Sequence, residues 1–117
     1  MRYILLIHDA ESIFPKLSPE EMGKLMGEYQ QFTAEVQSAG ALQGAARLRP
    51  VATATTVRVR NGKTLTTDGP FAETKEQLGG YYLIDVKNLD EAIKWASKIP
   101  SAKLGCVEVR PVWEQGE

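Results

Sequence analysis

One cysteine and one histidine are all that the 117 residues contain of the two commonest metal-binding and nucleophilic side chains. Cys106 alone cannot form an internal disulfide, and a cysteine-rich metal site is excluded. Its neighbours Val107 and Val109 place it on a strand, where a lone cysteine is expected to pack as a small hydrophobe. His8 lacks clustered carboxylates or thiolates, so a metal site through His8, Asp9 and Glu11 is disfavoured and none is expected. Charge of one sign is also missing: the formal net charge is -1, which provides no field to attract nucleic acid. Long apolar runs are absent as well. Tyr3-Ile4-Leu5-Leu6-Ile7 is far shorter than the ~20 residues of a membrane span and is not followed by a small-residue cleavage site. A cytoplasmic protein of one domain, residues 1–117, is expected, with neither membrane nor direct nucleic-acid binding.

What is present is ordinary globular composition, 43% hydrophobic and 25% charged, arranged in well-punctuated elements. Arg2 to His8 reads as a buried first strand. Ser18-Pro19-Glu20-Glu21 joins an N-cap, a proline at the first helical position and a glutamate three residues after the cap, which predicts a helix start. Met22, Leu25, Met26, Tyr29, Phe32, Thr33 and Val36 then recur at helical spacing, and Gly40 marks the stop. Ala41 to Leu48 reads as a strand with a close approach at Gly44. Asn61-Gly62 suits the positive φ values of a type I′ turn, so Thr55–Arg60 and Lys63–Thr67 should form a hairpin. Arg58, Arg60 and Lys63 are expected on one face of that ribbon, and Val57, Val59 and Leu65 on the other.

Gly79 to Val86 reads as the next strand, with Tyr81 and Tyr82 on opposite faces and a bulge or close backbone approach at Gly79-Gly80. Asn88-Leu89-Asp90-Glu91 repeats the capping-box pattern before a second helix ending near Pro100. Leu104 to Val112 closes as a strand, with Glu108 and Arg110 sharing one face. The order predicts an α+β fold: a ferredoxin-like split βαβ sheet with two helices on one face and an inserted β-hairpin. Strands apolar on both sides leave a second sheet face that is costly to keep wet, so a homodimer is expected.

The densest ionisable segment is Asp68-Gly69-Pro70-Phe71-Ala72-Glu73-Thr74-Lys75-Glu76. Asp68 cannot bond the backbone two residues on, because Pro70 has no N–H. A constrained carboxylate at a turn is a candidate general base, although a turn role bonded to the Phe71 N–H explains it as well. Glu73 and Lys75 are candidate substrate anchors, with a solvated charged face as the plainer reading. His8, ending a central strand, and Tyr29, in the middle of the first helix, are candidate partners in proton transfer; a satisfied histidine at the core edge explains His8 equally well, and core packing with a bonded hydroxyl is the plainer reading of Tyr29. Tyr82 and Arg47 are candidate ligand contacts, Arg47 because a guanidinium grips a carboxylate through two parallel bonds. Arg49 is a candidate of the same kind, and Arg110 ranks below Arg47. No phosphate-binding glycine frame surrounds Gly79-Gly80, no nucleophile-elbow surrounds any serine, and no cofactor is expected.

This segment, together with Met1-Arg2-Tyr3-Ile4-Leu5-Leu6-Ile7, the Ser18-Pro19-Glu20-Glu21 helix start, Ala52–Arg58 and Val107-Glu108-Val109-Arg110-Pro111-Val112, resembles the Asp-Gly-Pro-Phe (DGPF) subgroup of the YCII-related family. The resemblance implies a dimeric α/β barrel, in which two ferredoxin-like sheets pack face to face. It also implies a small enzyme acting on cyclic or aromatic molecules through a His-Asp pair with the histidine on the first helix. That helix carries Tyr29 and no histidine here. Two functions follow. One is a cofactor-independent enzyme using acid/base chemistry on a small carbonyl or phenolic compound. The other is a non-catalytic dimeric ligand-binding or regulatory module, which the resemblance associates with an extracytoplasmic-function sigma factor. Phe71 could alternatively be a folding anchor that pins its loop to the core.

Overall fold

A computed structural model describes residues 1–117. Alternation dictates the first strand, β1 (Arg2–Asp9): Tyr3, Leu5, Ile7 and Asp9 are buried on one face, while Ile4, Leu6 and His8 lie half-buried on the other. A 3₁₀ turn at Glu11–Lys16 leads to α1 (Pro19–Ser38), opened by the expected reciprocal box: the Glu21 N–H donates to Ser18 Oγ at 3.1 Å, and the Ser18 N–H to Glu21 Oε1 at 3.0 Å. The backbone bond to Ser18 holds the Glu21 carboxyl below its usual range. Strands β2 (Leu42–Arg47), β3 (Thr55–Arg60), β4 (Lys63–Asp68) and β5 (Gln77–Asp85) follow, then α2 (Leu89–Lys98), a 3₁₀ turn at Pro100–Ala102, and β6 (Cys106–Pro111).

The main sheet is antiparallel in the order β2-β5-β1-β6, and β3-β4 forms a separate two-stranded ribbon. This is the ferredoxin-like plan with an inserted hairpin. Both helices cover the same sheet face. Phe32 and Val36 of α1 and Ala92 and Ala96 of α2 join Tyr3, Leu5, Tyr82 and Ile84 in one core. Phe32 meets Tyr82 edge-on at 5.0 Å and Trp95 edge-on at 6.1 Å, arrangements that suit the ring quadrupoles.

The expected irregularity at Gly79-Gly80 is present in both forms. The β1–β5 register steps from Ile7↔Gly80 to His8↔Leu78, leaving Gly79 as the bulged residue. A Cβ on Gly80 would lie 2.7 Å from the Ala46 carbonyl oxygen, so β2 and β5 come together there only without a side chain.

Several local expectations need correction. At Gly44 the nearest atom to a Cβ would be Leu83 Cβ at 3.9 Å, an ordinary contact; the close approach belongs to Gly80. At the second helix, Asn88 Oδ1 accepts from the Glu91 N–H at 3.0 Å, but Glu91 returns to the Lys87 N–H rather than to Asn88, so the box is only half closed. Leu104 lies before β6 in a turn, its N–H bonded to the Ser101 carbonyl at 3.1 Å. Cys106 is exposed instead of packed, its Sγ donating to Glu76 Oε1 at 3.5 Å; desolvation and that carboxylate push its thiol up. The hairpin register pairs Leu65 with Arg58, which puts Leu65 on the basic face; period two from Lys63 requires the same. Phe71 is 83% exposed and anchors nothing within the protomer. Arg110 does bond Glu108 on its own face, Nε to Oε2 at 2.9 Å.

Candidate functional site

At the end of β1, alternation carries one charged side chain to the helix-covered face. Asp9 is 5% exposed, and Asp9 and Ser101 are the two buried polar residues. No Lys, Arg or His forms an ion pair with Asp9; the three ion pairs of the chain lie elsewhere, at Met1–Asp85, Arg2–Glu114 and Arg110–Glu108. Taking a carboxylate out of water without a cation is costly, so its retention there is itself a pointer to function.

What Asp9 has is a hydroxyl. Ser101 Oγ donates to Asp9 Oδ2 at 2.7 Å across 92 positions of sequence, and Ser101 Oγ lies 2.5 Å from the Tyr29 hydroxyl. Three elements converge: the end of β1, the middle of α1 and the 3₁₀ turn after α2. Ile99, 1% exposed, and Pro100, buried, fix that turn against the core. A serine has a single proton to give. Since Ser101 gives it to Asp9, Tyr29 must be the donor to Ser101, which leaves lone pairs on the Tyr29 oxygen as acceptors. Burial raises the Tyr29 phenol above its usual range, so it stays protonated near neutrality.

The three groups line a cavity of about 730 Å³ enclosed mainly by apolar side chains, a size and character suited to a small organic molecule. Phe14 from the first 3₁₀ turn, Met22, Leu25 and Met26 of α1, and Ile7 of β1 form much of its wall. Glu11 closes one end: its Oε2 accepts from the Val51 N–H at 3.0 Å, while its own N–H donates to Gln77 Oε1 at 2.9 Å. A second depression of about 800 Å³ beside α2 is lined by Lys87, Lys94, Lys98 and Trp95. It has no buried polar group converging on it, so the smaller cavity is the better chemical candidate despite its volume.

The seven residues singled out by sequence fall into two groups. Tyr29, Tyr82 and Arg47 line the cavity. Tyr82 keeps its hydroxyl occupied by Thr33 Oγ1 at 2.7 Å and contributes wall. Arg47 is exposed, with Nη1 3.9 Å from the Met26 sulfur. His8, Asp68, Glu73 and Lys75 do not line it. His8 adjoins Asp9 in sequence, yet alternation turns it to the open sheet face between Leu78 and Cys106. Asp68 ends the hairpin, and Glu73 and Lys75 follow it in an exposed loop.

Asp9, Glu11 and Ser101 were not among the acid/base or ligand-binding candidates. Asp9 carried a usable signal, because it continues the odd-numbered phase of Tyr3, Leu5 and Ile7; Ser101 carried none. No group of three His, Cys, Asp or Glu side chains is placed to hold a metal ion, and no helix is long and apolar enough to cross a membrane.

Comparison with known proteins gives three findings. The YCII-related domain family matches residues 1–115. An uncharacterised protein of Rhizobium meliloti is 42% identical over 114 residues, covering 96% of this chain and 92% of that protein. Among solved structures, 5-chloro-2-hydroxyhydroquinone dehydrochlorinase from Burkholderia phenoliruptrix, in complex with 2,5-dihydroxybenzoquinone, is 15% identical with a TM-score of 0.48, over 99% of this chain and 96% of that one.

Proposed function

The chain belongs to the YCII-related family, and within it we propose a small cytoplasmic enzyme that performs cofactor-independent acid/base chemistry on a small carbonyl or phenolic compound. The observation that carries this is the buried Asp9 carboxylate, unpaired with any cation and reached from the cavity through Ser101 and Tyr29. A substrate hydroxyl that donates to the Tyr29 oxygen completes a line of oxygen atoms. Its O–H bond breaks toward Tyr29, the Tyr29 proton passes to Ser101, and the Ser101 proton passes to Asp9 Oδ2. One proton leaves the substrate and one arrives on the carboxylate. The substrate is left as a phenolate or enolate. Asp9 also lines the cavity itself, so it can take a proton from an adjacent carbon acid directly. Arg47 suits an anionic substituent at the cavity edge, and Tyr82 and the methionines suit an aromatic body.

The test is proton exchange. Enolisable carbonyl and hydroxyaromatic compounds that raise the melting temperature are incubated with protein in D2O and followed by NMR. Deuterium uptake by wild type that is lost in Asp9→Asn and reduced in Ser101→Ala supports the assignment. Equal uptake by Asp9→Asn overturns it.

A homodimer belongs to the same reading. Ile4, Leu6, Tyr81 and Leu83 lie half-buried on the sheet face that no helix covers, which a second copy would shield. The single exposed thiol, Cys106, fits a reducing compartment.

A further inference from the structure

Two surfaces of this protomer lack a partner, and the second is the β3–β4 hairpin. Every residue of its two strands except Thr56 is exposed, and neither strand pairs with the main sheet. The register places Thr55, Val57 and Val59 with Thr64, Thr66 and Asp68 on one face, and Arg58, Arg60, Lys63 and Leu65 on the other. One face is therefore β-branched and nearly uncharged, with Val57 and Val59 each 59% exposed, and the other is basic. A two-stranded ribbon on its own is marginal in water. The radius of gyration is 16.3 Å, against about 13 Å for a compact domain near this size, as a projecting arm would give.

The turn at the hairpin's base is held by its own hydrogen bonds. The Gly69 N–H donates to the Ala54 carbonyl at 2.7 Å, and Thr56 Oγ1 donates to the Gly69 carbonyl at 2.8 Å. Gly69 takes φ +100, which a side chain would strain. Pinned in this way, Phe71 stands out into solvent, and Asp68 faces the same side as Val57 and Val59. A preorganised exposed aromatic beside an apolar ribbon has the composition of a contact surface.

We propose that the β3–β4 hairpin and the Asp68–Phe71 turn are an arm that seats its valine face on a second copy of this chain, beside that copy's open sheet face. Area identifies the occupant. Four strands of about six residues offer roughly 400 Å² of sheet, and the ribbon adds roughly 200 Å²; a stable interface takes about 800 Å² per partner. The sheet alone supplies about half, whereas sheet, arm and Phe71 together approach the whole. Exchanged about a two-fold axis, the arms close the contact, and their basic faces stay in water as a guard against further strand pairing. The Asp68 carboxylate is then an intersubunit group.

This rests on the homodimer proposed above, and the experiment separates the two. Sedimentation velocity is run across a dilution series on wild type, on the double variant Val57→Lys with Val59→Lys, and on Phe71→Ser, with circular dichroism as a folding control. Wild type is expected to be a dimer at low micromolar concentration. The double variant should dissociate at concentrations at least 100-fold higher, and Phe71→Ser at least 10-fold higher. A monomeric wild type overturns both the dimer and the arm. A wild type whose larger mass is due to another protein likewise overturns both, whereas a dimeric double variant that dissociates where wild type does overturns the arm alone. If the double variant does not fold, hydrogen exchange of the Lys63–Asp68 amides in wild type decides: protection that rises with dimerisation supports the arm, and protection independent of concentration overturns it.

Discussion

The cavity beneath α1 and the Asp68–Glu76 segment are opposites. The cavity's polar line, Asp9, Ser101 and Tyr29, is scattered through the sequence and compact in space. The Asp68–Glu76 segment is compact in sequence and spread over exposed surface, with Phe71 in water and Asp68 on a projecting ribbon. A run of neighbouring ionisable residues is not in itself a site: beyond Asp68 the chain leaves β4 for exposed bends, and Glu73 and Lys75 stand in solvent. Convergence from separate elements excludes water and removes counter-charges, and those conditions let a carboxylate act on a bound molecule. On this reading the first region does chemistry and the second makes contacts.

Substitutions at the two aspartates are the sharpest way to break that contrast. Asp9→Asn keeps an acceptor for Ser101 but loses the base, so turnover of a substrate found by exchange screening should fall by about 10²–10⁴-fold. Its unfolding free energy should rise, by on the order of 1–2 kcal/mol, because a buried charge without a cation is removed. Asp68→Asn, assayed below the dimer's dissociation concentration, should change stability by less than about 0.5 kcal/mol. Reversed outcomes would exchange the roles of the two regions.

The phenylalanines offer the next test. Phe32→Ala removes a ring packed on Tyr82 and Trp95 and should cost about 3–5 kcal/mol, whereas Phe71→Ala in the dissociated protomer should cost less than about 0.5 kcal/mol. A large loss at Phe71 would restore the folding-anchor reading. The glycines differ less. Gly80→Ala drives a Cβ into the Ala46 carbonyl and should cost about 1–3 kcal/mol. Gly69→Ala meets open space but positive φ and should cost about 1–2 kcal/mol. Chemical denaturation of the four variants measures the order.

The smallest effect is a titration. Burial raises the Tyr29 phenol, so the unfolded chain releases that proton first. The stability it contributes is complete below about pH 10, the unfolded value, and is lost as pH rises through the folded one. Absorbance at 295 nm should show one tyrosine ionising late, and Tyr29→Phe should remove that step. Late ionisation that persists in Tyr29→Phe would place the buried phenol elsewhere.

Local chemistry made most of the architecture legible. The Ser18–Glu21 box, the Asn61-Gly62 turn and the β1 alternation each act within a few residues, and each occurs where those residues require it. Tyr29 was legible as an inward-facing residue for the same reason, whereas Tyr81 and Tyr82 were legible only as facing opposite sides of their strand. Two misreadings and one discarded alternative concern what lies across from a residue. The partner of Leu65 depends on strand register, the exposure of Cys106 on what covers its sheet face, and the exposure of Phe71 on where its loop lands.

The sequence by itself therefore determined the elements, their order and the phase of their apolar faces, because backbone dihedrals, caps and periodicity are governed by neighbouring residues. Only the tertiary structure decided that Ser101 meets Asp9 across 92 positions, that Tyr29 donates to Ser101, and that the hairpin stands free of the sheet. Those outcomes depend on the packing of two helices over four strands, and no single segment contains the distances that packing sets.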